Sequence, residues 1–240
     1  MSLKFILALQ YHYSDRDQAI RLAKLIADIE PARRDDVGLL FVNRFDSEPM
    51  DNKTIFHVLQ KMPVFSYQTE TKRVGWPDGC NAMAIDTLKR VAHGMTHNEQ
   101  WKEVEGVLLL EPDCIPTAHG WIDMIVKEWM AAQVGGNLLM GTWRDGGGPL
   151  GHINGNMVVN PFFANLYDLD HLPDGLAWDC AISLQVHKDW RITKLICNRW
   201  NERNLTPEQI TQHRDDAAFR PVLVHGCKDE SVIEFAEGFV

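Results

Sequence analysis

The sequence lacks a C-x-x-C pair, an excess of basic residues, and an apolar run long enough to cross a membrane. Its five cysteines are odd in number and show no paired spacing, which argues against a disulfide framework or a structural zinc site. The net charge of −9 argues against a protein that coats nucleic acid. The N-terminal apolar run is too short for a signal peptide. We therefore expect a soluble, cytoplasmic protein with free thiols and no membrane partner.

Apolar segments alternate with helical patterns through the first half of the chain. Apolar runs predict four strands, and apolar residues at helical spacing predict three helices between them. Ser14, with Asp17 three residues on, is the expected N-cap of the first helix, which Pro31 follows. The alternation predicts an α/β fold with a mostly parallel sheet flanked by helices. The predicted strands are 4–9, 37–42, 64–67 and 104–110, and the second and third helices are 54–60 and 81–92.

The second half of the chain has shorter predicted strands and longer polar loops. In sheets of this kind, ligands bind at the carboxyl ends of the strands, so polar residues that follow a strand receive the most weight. The predicted helices are 121–132, 179–187 and 207–214, and the predicted strands are 138–142, 156–160, 190–195 and 221–224.

The fourth predicted strand ends in the segment VLLLEPDCIP, which carries two carboxylates around a proline. Because an extended chain alternates sides, Glu111 and Asp113 are expected to point the same way. Two oxygen donors at a strand end suit a divalent cation such as Mg²⁺ or Mn²⁺. The alternative interpretation is that Asp113 caps the turn and Glu111 is solvated.

A second polar cluster follows the last predicted strand, in the segment PVLVHGCKDES. His225 suits a Mn²⁺ site, Gly226 allows close backbone approach, and Lys228 can meet a phosphate as a point charge. A structural histidine is the alternative for His225 taken alone. Together the early and late clusters indicate one metal site with a lysine beside it.

Three segments, strand-E-P-D, H-I-N-G-N and strand-H-G-x-K, together resemble the nucleotide-diphospho-sugar transferases of the GT-A fold. The resemblance covers most of the chain as architecture. It implies one Rossmann-related domain over 1–240, with a nucleotide-binding half at 1–116. The half at 117–240 is implied to bind the acceptor and to hold a smaller mixed sheet.

The resemblance also implies Mn²⁺ or Mg²⁺ on the diphosphate of a nucleotide-sugar donor. By matching position, Asp113 and His225 become metal ligands and Lys228 a diphosphate contact. The family has Asp where this chain has Glu111. Glu111 is therefore the weaker metal candidate, expected to act through water or to contact the sugar.

Sugar- and acceptor-binding candidates lie in the segments GHINGNMVVNP and GLAWDCAISLQ. Asp179 is implied to be the general base of an inverting reaction. In a retaining enzyme it would not be the base, and its alternative role is a helix N-cap. The alternative for GHINGNMVVNP is a plain turn before a strand, and the alternative for Trp178 is packing in the core. The sugar-side candidates are His152, Asn154, Gly155, Asn156 and Trp178.

Nucleotide-binding candidates follow the first three strands. Gln10, Tyr11 and Tyr13 lie where the family holds the base, and either tyrosine can stack on it. Asp46 is the candidate for the base or ribose. Lys72 and Arg73 are candidates for the diphosphate, with a solvated basic pair as the alternative.

The stretch 187–204 carries five Lys or Arg against two acids, with two interleaved tryptophans. It is either a solvated face or a groove for DNA, in which case a hydroxymethylated base is a possible acceptor. The favoured function is metal-dependent sugar transfer from a UDP-sugar. The alternatives are a sugar-nucleotide-forming nucleotidyltransferase, which the absent G-x-G-x-R loop disfavours, and a non-catalytic binding module.

Overall fold

The computed structural model describes residues 2–145, 151–227 and 229–238. The strands are β1 (Phe5–Tyr11), β2 (Val37–Asn43), β3 (Val64–Gln68), β4 (Gly106–Leu110), β5 (Cys114–Pro116), β6 (Leu139–Gly141), β7 (Trp143–Arg144), β8 (His152–Ile153), β9 (Val158–Val159), β10 (Trp190–Ile192), β11 (Ile196–Asn198) and β12 (Leu223–His225). The helices are α1 (Arg16–Ile29), α2 (Asn52–Leu59), α3 (Asp78–His97), α4 (Trp121–Val134), α5 (Phe163–Leu166), α6 (Trp178–Ala181), α7 (Ser183–Val186), α8 (Pro207–Ile210) and α9 (Ser231–Glu237).

A seven-stranded sheet in the order β10-β6-β9-β4-β1-β2-β3 forms the centre of the fold. The strands β4, β1, β2 and β3 run parallel, whereas β9 pairs antiparallel with both β4 and β6. A mixed three-stranded sheet has the order β11-β12-β5. The prediction of a mostly parallel sheet with a smaller mixed one is confirmed.

Both faces of the central sheet are buried, which explains the continuous apolar runs of β1, β2 and β4. Phe5, Leu7 and Leu9 belong to the core cluster that contains the apolar residues of α1 and α4. Ile6 and Ala8 belong to the opposite cluster, which contains those of α3. Alternate residues of β1 thus pack against the helices on opposite faces of the sheet, which holds the strand between the two layers.

Several predicted boundaries are wrong. The helix α1 begins at Arg16, because Asp15 uses its carboxylate to accept the His12 N–H (2.7 Å) and Ser14 does not cap. The predicted strand 190–195 ends at Ile192 as β10, and β11 begins at Ile196 in the other sheet. Between them, the Thr193 hydroxyl donates to Glu128 (2.8 Å) and accepts from the Leu195 N–H.

The second half also breaks predicted helices into shorter pieces. Segment 179–187 forms α6 and α7, and α8 ends at Ile210 although the prediction ran to 214. The elements β5, β7, β8, β11, α5 and α9 were not predicted. Within the described part of the chain, none of the helices combines the length and apolarity needed to span a bilayer.

Candidate active site

A cleft of about 650 Å³ opens at the carboxyl ends of β1 and β4. Its walls come from the loops that follow these strands, from segment 152–156, from loop 175–180 and from the ends of β11 and β12. The cleft therefore lies at the edge of a parallel sheet where such folds bind ligands.

Residues 111–113, which follow β4 and are called the acidic turn below, face the end of β12 inside this cleft. The antiparallel pairing of Cys114 with His225 brings the two segments side by side. Nε2 of His225 lies 3.3 Å from Oε2 of Glu111 and 3.5 Å from Oδ1 of Asp113. Both carboxylates therefore approach one imidazole nitrogen, as expected if residues 111 and 113 point the same way.

Burial distinguishes the three groups. The side chain of His225 is 4% exposed and that of Asp113 is 10% exposed, whereas that of Glu111 is 49% exposed. Asp113 and His225 form the floor, and Glu111 stands at the mouth. One imidazole nitrogen and two carboxylates suit Mn²⁺ or Mg²⁺.

Asn156 holds the acidic turn and the start of β5 by hydrogen bonds. Its side chain is fully buried, and its Oδ1 accepts the Glu111 N–H (2.9 Å) and the Cys114 thiol (2.8 Å). Asn154 in turn accepts the backbone N–H and the side-chain amide of Asn156, both at 3.2 Å. The Asn156 side chain thus holds the turn, and the residue also lines the cleft, where its contact with a sugar stays a prediction.

Asp179 lies in the first turn of α6 and lines the same cleft. Oδ2 accepts the Gly155 N–H (2.8 Å), Oδ1 accepts the Cys180 N–H (2.9 Å), and Nε2 of His152 lies 3.8 Å away. Burial raises the pKa of Asp179, while His152 and the two N–H donors oppose that shift. The N-cap of α6 is Ala177, so the capping alternative for Asp179 is wrong.

His152, Asp179 and Cys180 form a second group that could hold a metal ion. Burial and the neighbouring Asp179 raise the pKa of the Cys180 thiol to about 12, so its thiolate forms less readily than that of an ordinary cysteine. The first group consists of Asp113, Cys114 and His225, and the Glu111 carboxylate adds a second oxygen donor beside it, so it is the better site for a hard cation.

Loop 175–178 is attached to the start of α3 by Asn81, a residue that the sequence did not single out. Its Nδ2 donates to the Leu176 carbonyl and its Oδ1 accepts the Trp178 N–H, both at 2.8 Å. Trp178 is buried edge-on against Phe163, with ring centroids 6.4 Å apart, so the core-packing alternative describes it.

The predicted base-binding residues differ in whether they line the cleft. Gln10 lines the cleft, as expected. Tyr11 is fully buried in the core beside α1, where its ring has no face for a base, so this prediction is corrected. Burial raises the pKa of its phenol to about 12. Tyr13 is exposed outside the cleft, with the Arg44 guanidinium 5.8 Å from its ring centroid.

Three of the remaining candidates, Asp46, Lys72 and Arg73, do not line the cleft. Asp46 pairs with Arg44 at 2.7 Å. Lys72 and Arg73 are on an exposed loop outside the cleft lining. Lys228 lies outside the described residues.

Residues 187–204, all of which the structure describes, do not present their charges as one strip. Arg199 is buried and donates to Glu202 and to the carbonyls of Gln209 and Gln212. Lys194 pairs with Asp216. Two of the five cations are thus neutralised within the fold, which weakens the expectation of a DNA groove.

Sequence reasoning gave no role to several residues that line the cleft. His12 and Asp15 pair at 3.4 Å after β1, while Trp76 and Trp200 are exposed on the rim. Trp76 carried a signal, since it lies in a Gly-Trp-Pro turn after a strand.

The order of strands, the mixed small sheet and the cleft define the fold of GT-A glycosyltransferases. The chain matches no family model and no curated protein sequence. Among solved structures, it is similar to the bifunctional glycosyltransferase WbbM, at 9% identity and a TM-score of 0.63. That match covers 100% of this chain and 50% of WbbM, so the chain spans half the length of that protein.

Two further solved structures match over nearly their whole length. The galactosyltransferase LgtC, in complex with donor and acceptor sugar analogues, has 11% identity and a TM-score of 0.56, covering 97% of this chain and 95% of LgtC. Mouse xyloside xylosyltransferase 1 has 13% identity and a TM-score of 0.51, covering 93% and 98%. At these identities the likeness shows the fold alone.

Proposed function

We propose that the protein is a metal-dependent glycosyltransferase that moves a sugar from a nucleotide-diphosphate donor, with UDP favoured, to an acceptor hydroxyl. One observation carries the proposal: the convergence of Asp113, Glu111 and His225 at the ligand-binding edge of a GT-A fold, in the cleft that also contains Asp179. Residues 1–116 would bind the donor nucleotide, and residues 117–240 would shape the acceptor side and contribute His225.

Asp113 and His225 would hold Mn²⁺ or Mg²⁺, with Glu111 at the mouth as a further or water-mediated ligand. A bound cation supplies electrostatic stabilisation of the negative charge that grows on the leaving diphosphate. The rigidity of this centre comes from the chain itself: strand pairing fixes His225 against the turn, and Asn156 fixes the turn from below.

Asp179 is the proposed general base of an inverting transfer. Burial raises the pKa of Asp179 above that of an ordinary aspartate, which makes its carboxylate a stronger proton acceptor. The two backbone N–H bonds hold the carboxylate in place. They leave its remaining lone pairs to receive the proton of the acceptor hydroxyl.

A calorimetric and thermal-shift panel of nucleoside diphosphates tests the proposal, with and without Mn²⁺. We expect one nucleotide to bind and to raise the melting temperature in a metal-dependent way. Asp113→Asn should remove the metal-dependent part. The matched control, Asp170→Asn, removes an acid that pairs with Lys89 outside the cleft and should leave the metal-dependent part intact. If no nucleotide binds in a metal-dependent way, the proposed function is wrong.

A further inference from the structure

The exposed tryptophans of this protein are concentrated on the cleft. Of the eight tryptophans, all within the described residues, only Trp76 and Trp200 are more than half exposed, at 77% and 54%. Both line the cleft. An indole ring left in water exposes a large apolar surface, so two such rings at one cleft indicate a ligand that covers them.

Trp200 stands at the end of the cleft that carries the proposed metal ligands. The Arg199 N–H donates to the His225 carbonyl at 2.7 Å, and Trp200 follows directly. Its backbone packs so closely on Gly226 that a Cβ there would lie 2.7 Å from the Trp200 Cα. The position of this tryptophan is therefore fixed by the strand end that carries His225.

Trp76 stands at the other end, beside the loop that leads to Asp179. The Asn81 N–H donates to the carbonyl of Pro77, the residue after Trp76. The Asn81 side chain makes two hydrogen bonds to loop 175–178. Leu176 in that loop is also exposed and lines the cleft. An apolar wall thus lies next to the proposed base, where an acceptor hydroxyl would arrive.

The charge of the cleft restricts the kind of acceptor. Among the described residues, and histidines aside, one arginine lines it, Arg144, against five carboxylates: Asp15, Glu111, Asp113, Asp145 and Asp179. A divalent cation and a donor diphosphate roughly neutralise each other, so the acidic excess remains when the donor is bound. A polyanion such as DNA would be repelled there, whereas an uncharged ligand would not.

We propose that the acceptor is a neutral carbohydrate whose rings stack on Trp76 and Trp200. Sugar rings present apolar C–H faces to an indole and hydroxyl groups to the carboxylates around it. In the reaction, the acceptor oxygen bonds to the anomeric carbon as the bond to the diphosphate breaks. The diphosphate leaves with the electron pair, and Asp179 takes the hydroxyl proton. The inference rests on the proposed glycosyltransferase function.

The test uses the full chain with Mn²⁺ and the nucleotide sugar whose diphosphate the binding panel selects. A broad array of neutral glycans is compared with duplex DNA containing hydroxymethylcytosine, and nucleotide release and product mass are followed. We expect transfer to a neutral glycan. Trp76→Ala and Trp200→Ala should each raise the acceptor KM about tenfold, the scale of one lost aromatic contact. Both should leave the dissociation constant of the nucleotide with Mn²⁺ within about twofold.

Phe56→Ala is the matched control, because Phe56 is an equally exposed aromatic residue outside the cleft. It should leave the acceptor KM unchanged. The inference is overturned if DNA is the better acceptor, if no neutral glycan on the array is used although nucleotide binding is intact, or if the tryptophan variants weaken nucleotide binding without changing the acceptor KM. Loss of metal-dependent nucleotide binding in the wild type instead contradicts the proposed function itself.

Discussion

The two ends of the cleft are built in different ways. At the end with the proposed metal ligands Glu111, Asp113 and His225, called the metal end below, the acidic turn follows a fully buried strand, and β12 pairs with β5 to hold His225 against it. At the other end, Asp179 lies on a helix of four residues that is held by single side-chain and backbone hydrogen bonds. The metal end is fixed by sheet structure, and the Asp179 end by local attachments.

This difference matters because backbone ladders are cooperative, whereas each attachment of the Asp179 end depends on one or two groups. Loops of this kind belong to the less stable parts of a protein, which supply most of the movable elements in binding sites. Substitutions at the metal end should therefore act on cation and nucleotide affinity. Those at the Asp179 end should act on turnover.

The largest effect should come from Asp179→Asn. Removing the proposed base should lower kcat by about 10²–10⁴-fold, the usual contribution of a positioned proton acceptor, with metal-dependent nucleotide binding unchanged. Burial raises the pKa of Asp179, and a base must be deprotonated to act. The acidic limb of the wild-type pH–rate profile should therefore lie above the pH at which an ordinary aspartate titrates, and activity should fall as the pH drops through it.

Asp51→Asn is the control for a purely structural role, because Asp51 also accepts a backbone N–H at a helix start, from Thr54 at 2.9 Å, but lies away from the cleft. It should cost stability without a loss of kcat. An unchanged kcat in Asp179→Asn would contradict the assignment of the base, and would favour a retaining reaction or a different proton acceptor.

A smaller effect is expected from Asn156→Leu, which tests the support of the metal end. Leucine has a similar size but no acceptor, so the Glu111 N–H and the Cys114 thiol lose their partner. We expect Mn²⁺ affinity to fall about 10–100-fold, as for other groups that orient metal ligands. Mn²⁺ titration by electron paramagnetic resonance measures this directly.

Asn156→Asp keeps the acceptor oxygen and should recover most of the affinity. Asn160→Leu removes a comparable local bond, to the Phe162 N–H at 2.9 Å, without touching the acidic turn, and should not change it. If Asn156→Leu and Asn160→Leu lose the same thermal stability and neither changes Mn²⁺ affinity, Asn156 does not position the metal ligands.

The same contrast explains how much could be predicted from sequence. The parallel strands and the meeting of Glu111, Asp113 and His225 were predictable, because long buried runs signal strands and polar residues at their ends meet at one edge. Tyr11 was misassigned because the last residue of a buried strand can still point into the core. The roles of Asn81 and Asn156 in holding other segments were hidden, since each acts on a segment at least 42 residues away in sequence.

The smallest effect should come from Asn81→Leu, which tests the attachment of loop 175–178. Both bonds to the loop, at the Leu176 carbonyl and the Trp178 N–H, are lost. A 1 Å misplacement of a catalytic group can cost about 10²-fold in rate, and this loop keeps its other contacts, so we expect kcat to fall about tenfold. Mn²⁺ affinity should stay as in the wild type, because the metal end does not depend on Asn81.

Asn98→Leu is the matched control, because Asn98 accepts the Gln100 N–H at 3.0 Å at the opposite end of α3. It should reproduce any general loss of helix stability without the loss of kcat. If Asn81→Leu instead weakens Mn²⁺ binding as much as it lowers turnover, the structures of the two ends of the cleft are coupled. In that case the distinction between a sheet-built and a locally attached end is wrong.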